Sequence, residues 1–446
     1  MKRTLFILLV LLASLAVIAA CSGSSDGSPA SDPAEVAVQV VTDAPVSITG
    51  ERSVAEIVGD ETTELAVISP DGSAIAWIIG PRGGSGIFDQ LCIYRVSTSN
   101  KTCYDKPEKF SSYPYRLAWS PDSTQIAFTE DPLRLADESD IWLFDVAAGT
   151  FANRTDDNVE GPYQAARLGA QAPLDYLPMW DEGNGLLYFW RTIVLNESET
   201  TLTLYRLDPH GGEAEQVQDV TEYFTGQLLA FNTEQFSLDG VSSISPDGTK
   251  VALAVRTVQN LFETPRNGLW VLDITGSQEP PKQLATIDQF QTTLPEWYNF
   301  PAAPEGLSWS GDSKGVVVLA LGSDQNLPLL SYYYADVQDG SLTPFVDFSQ
   351  VPSEQALITE PGAAGLPMRF YSPWTASMSP GNTNLLMYSQ LGDLSGVLQA
   401  TIPPDGNLPA FVFLSKIDTT IPTSQVSTSS DGKLLMENIQ FTVEEK

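Results

Sequence analysis

The sequence predicts an all-β fold, a closed ring of four-stranded antiparallel sheets, seven in number with six or eight as alternatives. Three observations predict it. A tight turn of the Ser-Pro-Asp-Gly kind recurs near residues 69, 120, 181, 245, 310, 379 and 429. Each turn joins two short apolar runs, and two more follow before the next turn, which makes four strands per unit. The repeat is roughly 50 to 70 residues long, which suits a four-stranded unit with its loops. Such a unit cannot hide both faces alone, so copies must stack beside it. Arranged round an axis, these units make a β-propeller.

Residues 1–20 precede the ring and read as a signal peptide. Lys2 and Arg3 make a basic start, and the apolar run from Leu5 to Ile18 is too short for an ordinary spanning helix. The segment closes on Ile18-Ala19-Ala20-Cys21, which resembles the bacterial lipobox. That resemblance implies a lipidated Cys21 as the new N-terminus, anchored to the membrane outside the cytoplasm. A plain signal peptide with an incidental cysteine is the alternative. Residues 21–34 are a Ser/Gly/Pro tether that cannot pack a core. Residues 35–446 are expected to form a single propeller domain.

Unit one is predicted as strands over 65–68, 74–79, 91–96 and 102–104. Its first turn is Ser69-Pro70-Asp71-Gly72. Cys92 and Cys103 fall on two adjacent strands, nearly opposite, where Cβ atoms lie about 4.5–5.5 Å apart. Export favours oxidation, so a disulfide is expected, with two buried thiols as the alternative. Unit two runs from Trp119 through Ser120-Pro121-Asp122 to Ile126-Ala127-Phe128, then Ile141-Trp142, Asp145 and Gly149. Unit three is weaker, with strands over 177–180, 186–190, 202–207 and 215–217. Unit four carries Ser245-Pro246-Asp247-Gly248. Units five and six keep the pattern in degraded form, and unit seven lacks a last strand. An open ring exposes two sheet edges. One of the N-terminal runs, 35–41 or 54–58, is therefore expected to complete the last blade.

The pattern best kept in unit two resembles the PD40 repeats of TolB-like β-propellers, over essentially the whole mature chain. TolB itself is usually described with six blades. The resemblance implies a scaffolding role in the cell envelope.

The turn residues have structural work to do. Pro fixes φ, Asp bonds its own backbone, and Gly accepts positive φ. One Asp per blade is too widely spaced for a calcium site of six to eight oxygens, so no metal is expected. Trp77, Trp119, Trp142, Trp180, Trp270 and Trp309 are expected to fill the spaces between blades.

Catalytic signatures are missing. The one histidine, His210, sits in a glycine-rich turn. The sequence has no zinc spacing, phosphate loop or dinucleotide fingerprint, so no cofactor is expected. The 56 acidic residues leave carboxylate pairs open. A net charge of −33 repels phosphate, which argues against nucleic acid as a partner.

The first and third turns of each unit are short. The other connections are long: 156–176, 221–240, 286–305 and 347–375 between units, with 81–90, 130–140 and 257–268 within them. All fall on one face of the ring and are rich in aromatics. Tyr163, Tyr176, Tyr223, Phe262, Trp297, Tyr298, Tyr371 and Trp374 are the candidate binding residues. Exposed aromatics among polar residues mark recognition surfaces. The alternative is that they plug the funnel. The expectation is a monomeric, lipid-anchored binding or scaffold module for a protein, peptide or glycan. A glycan-active lyase or hydrolase with carboxylates in the funnel is the competing reading, and it requires clustered acids with raised pKa values.

Overall fold

The computed structural model describes residues 40–41, 63–80, 89–108, 110, 117–129, 139–159, 173–196, 199–224, 241–255, 268–277, 279–286, 289, 307–324, 327–347, 377–378, 384–391, 394–401, 411–413, 423–428 and 435–439. The chain divides into Met1–Ala37, outside the described residues, and Val38–Lys446, which holds every sheet.

Strand β1 (Val40–Val41) comes first. Blade one is β2 (Thr63–Ile68), β3 (Ala74–Ile79), β4 (Gln90–Arg95) and β5 (Asn100–Asp105). Blade two is β6 (Ala118–Trp119), β7 (Gln125–Thr129), β8 (Ile141–Asp145) and β9 (Thr150–Asn153). Blade three is β10 (Pro173–Trp180), β11 (Leu187–Asn196), the short β12 (Glu199–Thr200), β13 (Thr203–Leu207) and β14 (Glu215–Asp219), followed by helix α1 (Thr221–Phe224). Blade four is β15 (Val241–Ile244), β16 (Lys250–Val255), β17 (Gly268–Asp273) and β18 (Lys282–Thr286). Blade five is β19 (Leu307–Trp309), β20 (Gly315–Asp324), β21 (Leu327–Asp336) and β22 (Leu342–Asp347). Blade six is β23 (Ser377–Met378), β24 (Asn384–Leu391), β25 (Leu394–Thr401) and β26 (Phe411–Phe413). The last sheet is β27 (Thr423–Thr428) with β28 (Leu435–Ile439).

Every blade pairs its strands antiparallel in chain order, so each is a meander. The innermost strands touch in the order β2, β6, β10, β15, β19, β23 and β27, and β27 touches β2 again. That cycle is the ring of a β-propeller. Burial follows from it. Middle strands are covered on both faces by neighbouring blades, so β3, β8 and β17 are almost wholly apolar and buried. Outer strands meet solvent, so β5 (NKTCYD) and β14 (EQVQD) are mostly polar.

The core is layered between blades. Trp119, Phe128, Trp142 and Phe144 pack with Ile78, Leu91 and Ile93 between blades one and two. Ile141, Leu143, Leu187 and Phe189 fill the space between two and three. Tyr176, Trp190 and Trp270 lie between three and four, and Trp309 and Tyr333 between four and five. Trp77 packs beside Cys92 on the opposite face of blade one. Each fully buried aromatic contributes about 2–3 kcal/mol from apolar burial.

Cys92 and Cys103 are register partners on β4 and β5 and are joined by a disulfide, with Cα atoms 4.0 Å apart.

Two expectations need correction. Of the run 35–41 only Val40–Val41 is described, and those two residues are not on the last described sheet. Val40–Val41 runs parallel to Phe411–Val412, along the outer edge of blade six. An edge strand offers unpaired backbone groups, and a segment travelling in the same direction can pair with it only in parallel. The other candidate, 54–58, lies outside the described residues. The inner strand of blade three starts at Pro173 rather than 177, because a bulge lets it continue. The register shifts between Tyr176 and Met179, and Leu177 takes a φ of 54°. Among the described residues no helix is long and apolar enough to cross a membrane.

Candidate functional site

The strand ends sort the connections onto two faces. On one lie the tight turns that follow the innermost strands of blades one to five. Four share one hydrogen-bond pattern. The Ser69 Oγ donates to Asp71 Oδ1 at 2.7 Å and accepts from the Ala74 N–H at 2.9 Å. Ser120, Ser245 and Ser310 do the same with Asp122, Asp247 and Asp312. Partial burial acts to raise these carboxyls. The Ser hydroxyl and backbone amides together outweigh it, so all four sit below the ordinary carboxylate range. They are permanent, solvated anions. Among the described residues no group of three or more His, Cys, Asp or Glu side chains is arranged to hold a metal.

The opposite face carries the long connections, 80–89, 106–117, 130–140, 154–172, 220–240, 256–267, 287–306 and 348–376 by the strand bounds. In blades five and six the equivalent turn is short, but it ends pairs of ten- and eight-residue strands.

On that face, blades two and three meet in a buried polar junction. Strand β10 opens Pro-Leu-Asp, which places Asp175 inside the sheet with no exposure. Its register partner on β11 is Arg191. The pair is bidentate, Nε to Oδ1 and a terminal nitrogen to Oδ2, both 2.6 Å. The guanidinium also lies 4.6 Å from the Tyr205 ring centre. Complete burial pushes the Asp175 carboxyl up, against the pull of Arg191. Burial acts to lower Arg191, but its bonds to Asp175 hold the guanidinium firmly charged.

The second carboxylate comes from blade two. Asp140 immediately precedes β8 and is 4% exposed. It accepts from Asn153 Nδ2 at 2.7 Å and Thr155 Oγ1 at 3.3 Å. Burial pushes it to about 6, and the charges of Asp175, Asp157 and Asp156 add to the rise, with the Asn153 bond opposing. Asp157 is also raised, by burial first. Two short bonds tie the blades beside it. The Asp175 N–H donates to the Ser139 carbonyl at 2.7 Å, and Ser139 Oγ donates to the Asp175 carbonyl at 2.6 Å.

The aromatic candidates fare differently. Tyr176 is a core residue, 3% exposed, with its hydroxyl 2.8 Å from Thr192 Oγ1. The longer β10 carries it off the loop and into the wall between blades three and four, which corrects its place in the binding face. Tyr223 sits in α1, half-buried against the same core cluster. Tyr163, Phe262, Trp297, Tyr298, Tyr371 and Trp374 lie outside the described residues, as does Cys21. His210 is exposed in the outer turn of blade three, its N–H on Asp208 at 2.8 Å.

Sequence reasoning passed over Asp140, Asp157, Asp175 and Arg191. A signal existed. Asp175 and Arg191 each interrupt an apolar run on successive strands, and a lone charge in such a run needs a buried partner.

No family model matches the chain, and no curated protein does. Solved structures do. An oligogalacturonate lyase in complex with manganese is 12% identical, with a TM-score of 0.42, over 77% of this chain and 90% of that one. A second oligogalacturonate lyase, from Vibrio parahaemolyticus, is 10% identical, with a TM-score of 0.38, over 78% and 92%. The acylaminoacyl peptidase of Pyrococcus horikoshii is 10% identical, with a TM-score of 0.45, over 83% of this chain. The match spans 48% of the peptidase.

Proposed function

We propose that this chain is a lipid-anchored, extracytoplasmic binding or scaffold module, a seven-bladed ring related to the TolB-like propellers. It takes up a protein, peptide or glycan on the face of the long connections. The observation that carries this reading is the sorting of connections. Tight Ser-Asp turns occupy one face, and almost all the extra chain length springs from the other. Length beyond what closes a turn is kept mainly where it binds something. The net charge of −33 favours a partner with neutral or basic patches.

The test is crosslinking of the native protein in its own cell envelope, followed by identification of what is captured. Replacing Trp297, Tyr298 and Trp374 together with Ala should lower capture at least about tenfold, with the ring still folded. Undiminished capture by a folded triple variant would overturn the aromatic face.

A second reading, a glycan-active lyase or hydrolase, has one observation in its favour. Asp140 is held near the value that a general acid or base needs. Its burial, and the complete burial of Asp175, weigh against direct contact with a substrate. Binding is therefore the favoured reading.

A further inference from the structure

The geometry points to the junction of Asp140, Asp175 and Arg191 as a proton-sensitive latch between blades two and three. It goes beyond the proposed binding role and does not depend on it.

The charged groups that meet there come from four places. Asp140 immediately precedes β8, Asp156 and Asp157 follow β9, Asp175 is on β10 and Arg191 on β11. Tyr205 of β13 covers the guanidinium. Among the described residues, Arg191 faces Asp175 and Asp157, and Asp140 faces Asp175, Asp157 and Asp156. Arg191 gives both of its short bonds to Asp175. The contacts of Asp140 include Asn153 Nδ2 and Thr155 Oγ1, and Thr155 Oγ1 also accepts the N–H of Ile141. The Asp140 charge faces the other three carboxylates from within the protein, where screening is weak.

The placement makes this charge matter to the ring. Asp140 follows Ser139, whose two bonds to the Asp175 backbone tie blade two to the inner strand of blade three. A proton on Asp140 removes a destabilisation at that tie, chiefly the cost of burying its charge and secondarily the repulsion from Asp175. Loss of the proton restores it.

The direction follows from linkage. The folded carboxyl titrates at about 6, and an unperturbed one at 3.8. The folded state therefore holds a proton through that window that the opened state releases. The junction is tightest at low pH and loosens as pH rises to about 6, above which the effect is constant. This window spans mildly acidic surroundings, so the latch would respond to acidification.

Backbone hydrogen exchange on the intact protein tests it. Amides over 139–141 and 174–176, corrected for intrinsic rate, should be about tenfold better protected at pH 5 than at pH 7.5. Amides of Trp309 and Ser310, between blades four and five, should not change. Asp140→Asn keeps the shape and removes the charge, and its protection at 139–141 should be the same at both pH values. Equal protection in the unmodified protein, or a variant that keeps the pH difference, overturns the latch. A direct titration needs no variant: the Asp140 carboxyl carbon, followed by NMR, should show a midpoint near 6. A midpoint in the ordinary carboxylate range overturns the proposal as well.

Discussion

Three tryptophans close the innermost strands of their blades, and each reaches back to the blade before. Trp119 Nε1 donates to the Val67 carbonyl at 3.3 Å, Trp180 to Ala118 at 2.9 Å, and Trp309 to Ser243 at 2.9 Å. The indole thus does two jobs. Its ring fills the wedge between blades, and its N–H satisfies a carbonyl that the adjacent sheet leaves facing the channel. Trp180→Phe should keep most of the packing and lose the bond, at about 1 kcal/mol. The urea midpoint should fall with an unchanged slope. A change in slope instead would mean that the ring itself had opened. The packing role of these residues was legible, because a large aromatic closing an apolar strand ahead of a tight turn is expected to pack, as Trp119 and Trp309 do fully and Trp180 in part. The bond was not, because its acceptor lies 52 to 66 residues away in sequence.

At the scale of the element, the Ser-Pro-Asp-Gly turn is both a reversal and a joint. The Asp71 N–H donates to Ser123 Oγ in the next blade, and the Asp247 N–H to Ser313 Oγ, both at 3.1 Å. Ser123 and Ser313 occupy the position that Gly holds elsewhere, at φ of 61° and 58°. A non-glycine residue there is strained by about 1 kcal/mol or more. The bond to the neighbouring blade offsets that cost. Between blades three and four the same position is Gly248, at φ 67°, and a Cβ there would sit 2.8 Å from Asp181 Oδ1. Gly248→Ala should therefore destabilise by about 1–3 kcal/mol. Adding Asp181→Ala should recover part of this, since the contact goes but the φ strain stays. A double-mutant cycle in denaturant measures that coupling, and strictly additive losses would show that the contact is immaterial. Sequence reading assigned these residues to local turn chemistry and stopped there, because a lone turn does not reveal which surface it will touch.

The whole molecule uses its few cations to hold its rim. Arg95 donates to the Val146 carbonyl in the outer turn of blade two. Arg154 reaches Asp208, Pro209 and Gly212 in blade three. Gln218 reaches Glu279 in blade four, and Lys282 reaches Val337 and Gln338 in blade five. From blade one to blade five, each blade therefore grips the outer turn of the next. Tyr104 adds to the first of these grips by lying against Gly149, where a Cβ would collide with its ring. In a chain of 23 basic and 56 acidic residues, this leaves an anionic exterior. Charge of this sign acts against association with phosphate-rich partners. The chain enters the ring at β1, on the outer edge of blade six. Cys21→Ser should move the protein from the membrane fraction to the soluble fraction. Retention in the membrane fraction would rule out the lipid anchor.

The sequence by itself determined the repeat, the meander within each blade and the pairing of Cys92 with Cys103. All of these are set by near neighbours in the chain: the turn chemistry, the alternation of apolar runs, and a hairpin that brings two cysteines opposite. Only the tertiary structure decided which residues meet between blades. It took Tyr176 out of the loop and into the core through a bulge at Leu177. It set β1 beside β26 rather than on the last sheet. It also gathered Asp140, Asp175 and Arg191 into one buried junction. The physical reason is common to all three. Each depends on contacts between residues well separated in the chain, from 16 for Asp175 with Arg191 to the pairing of Val40 with Phe411, and local pattern does not encode which of the available partners will be buried together.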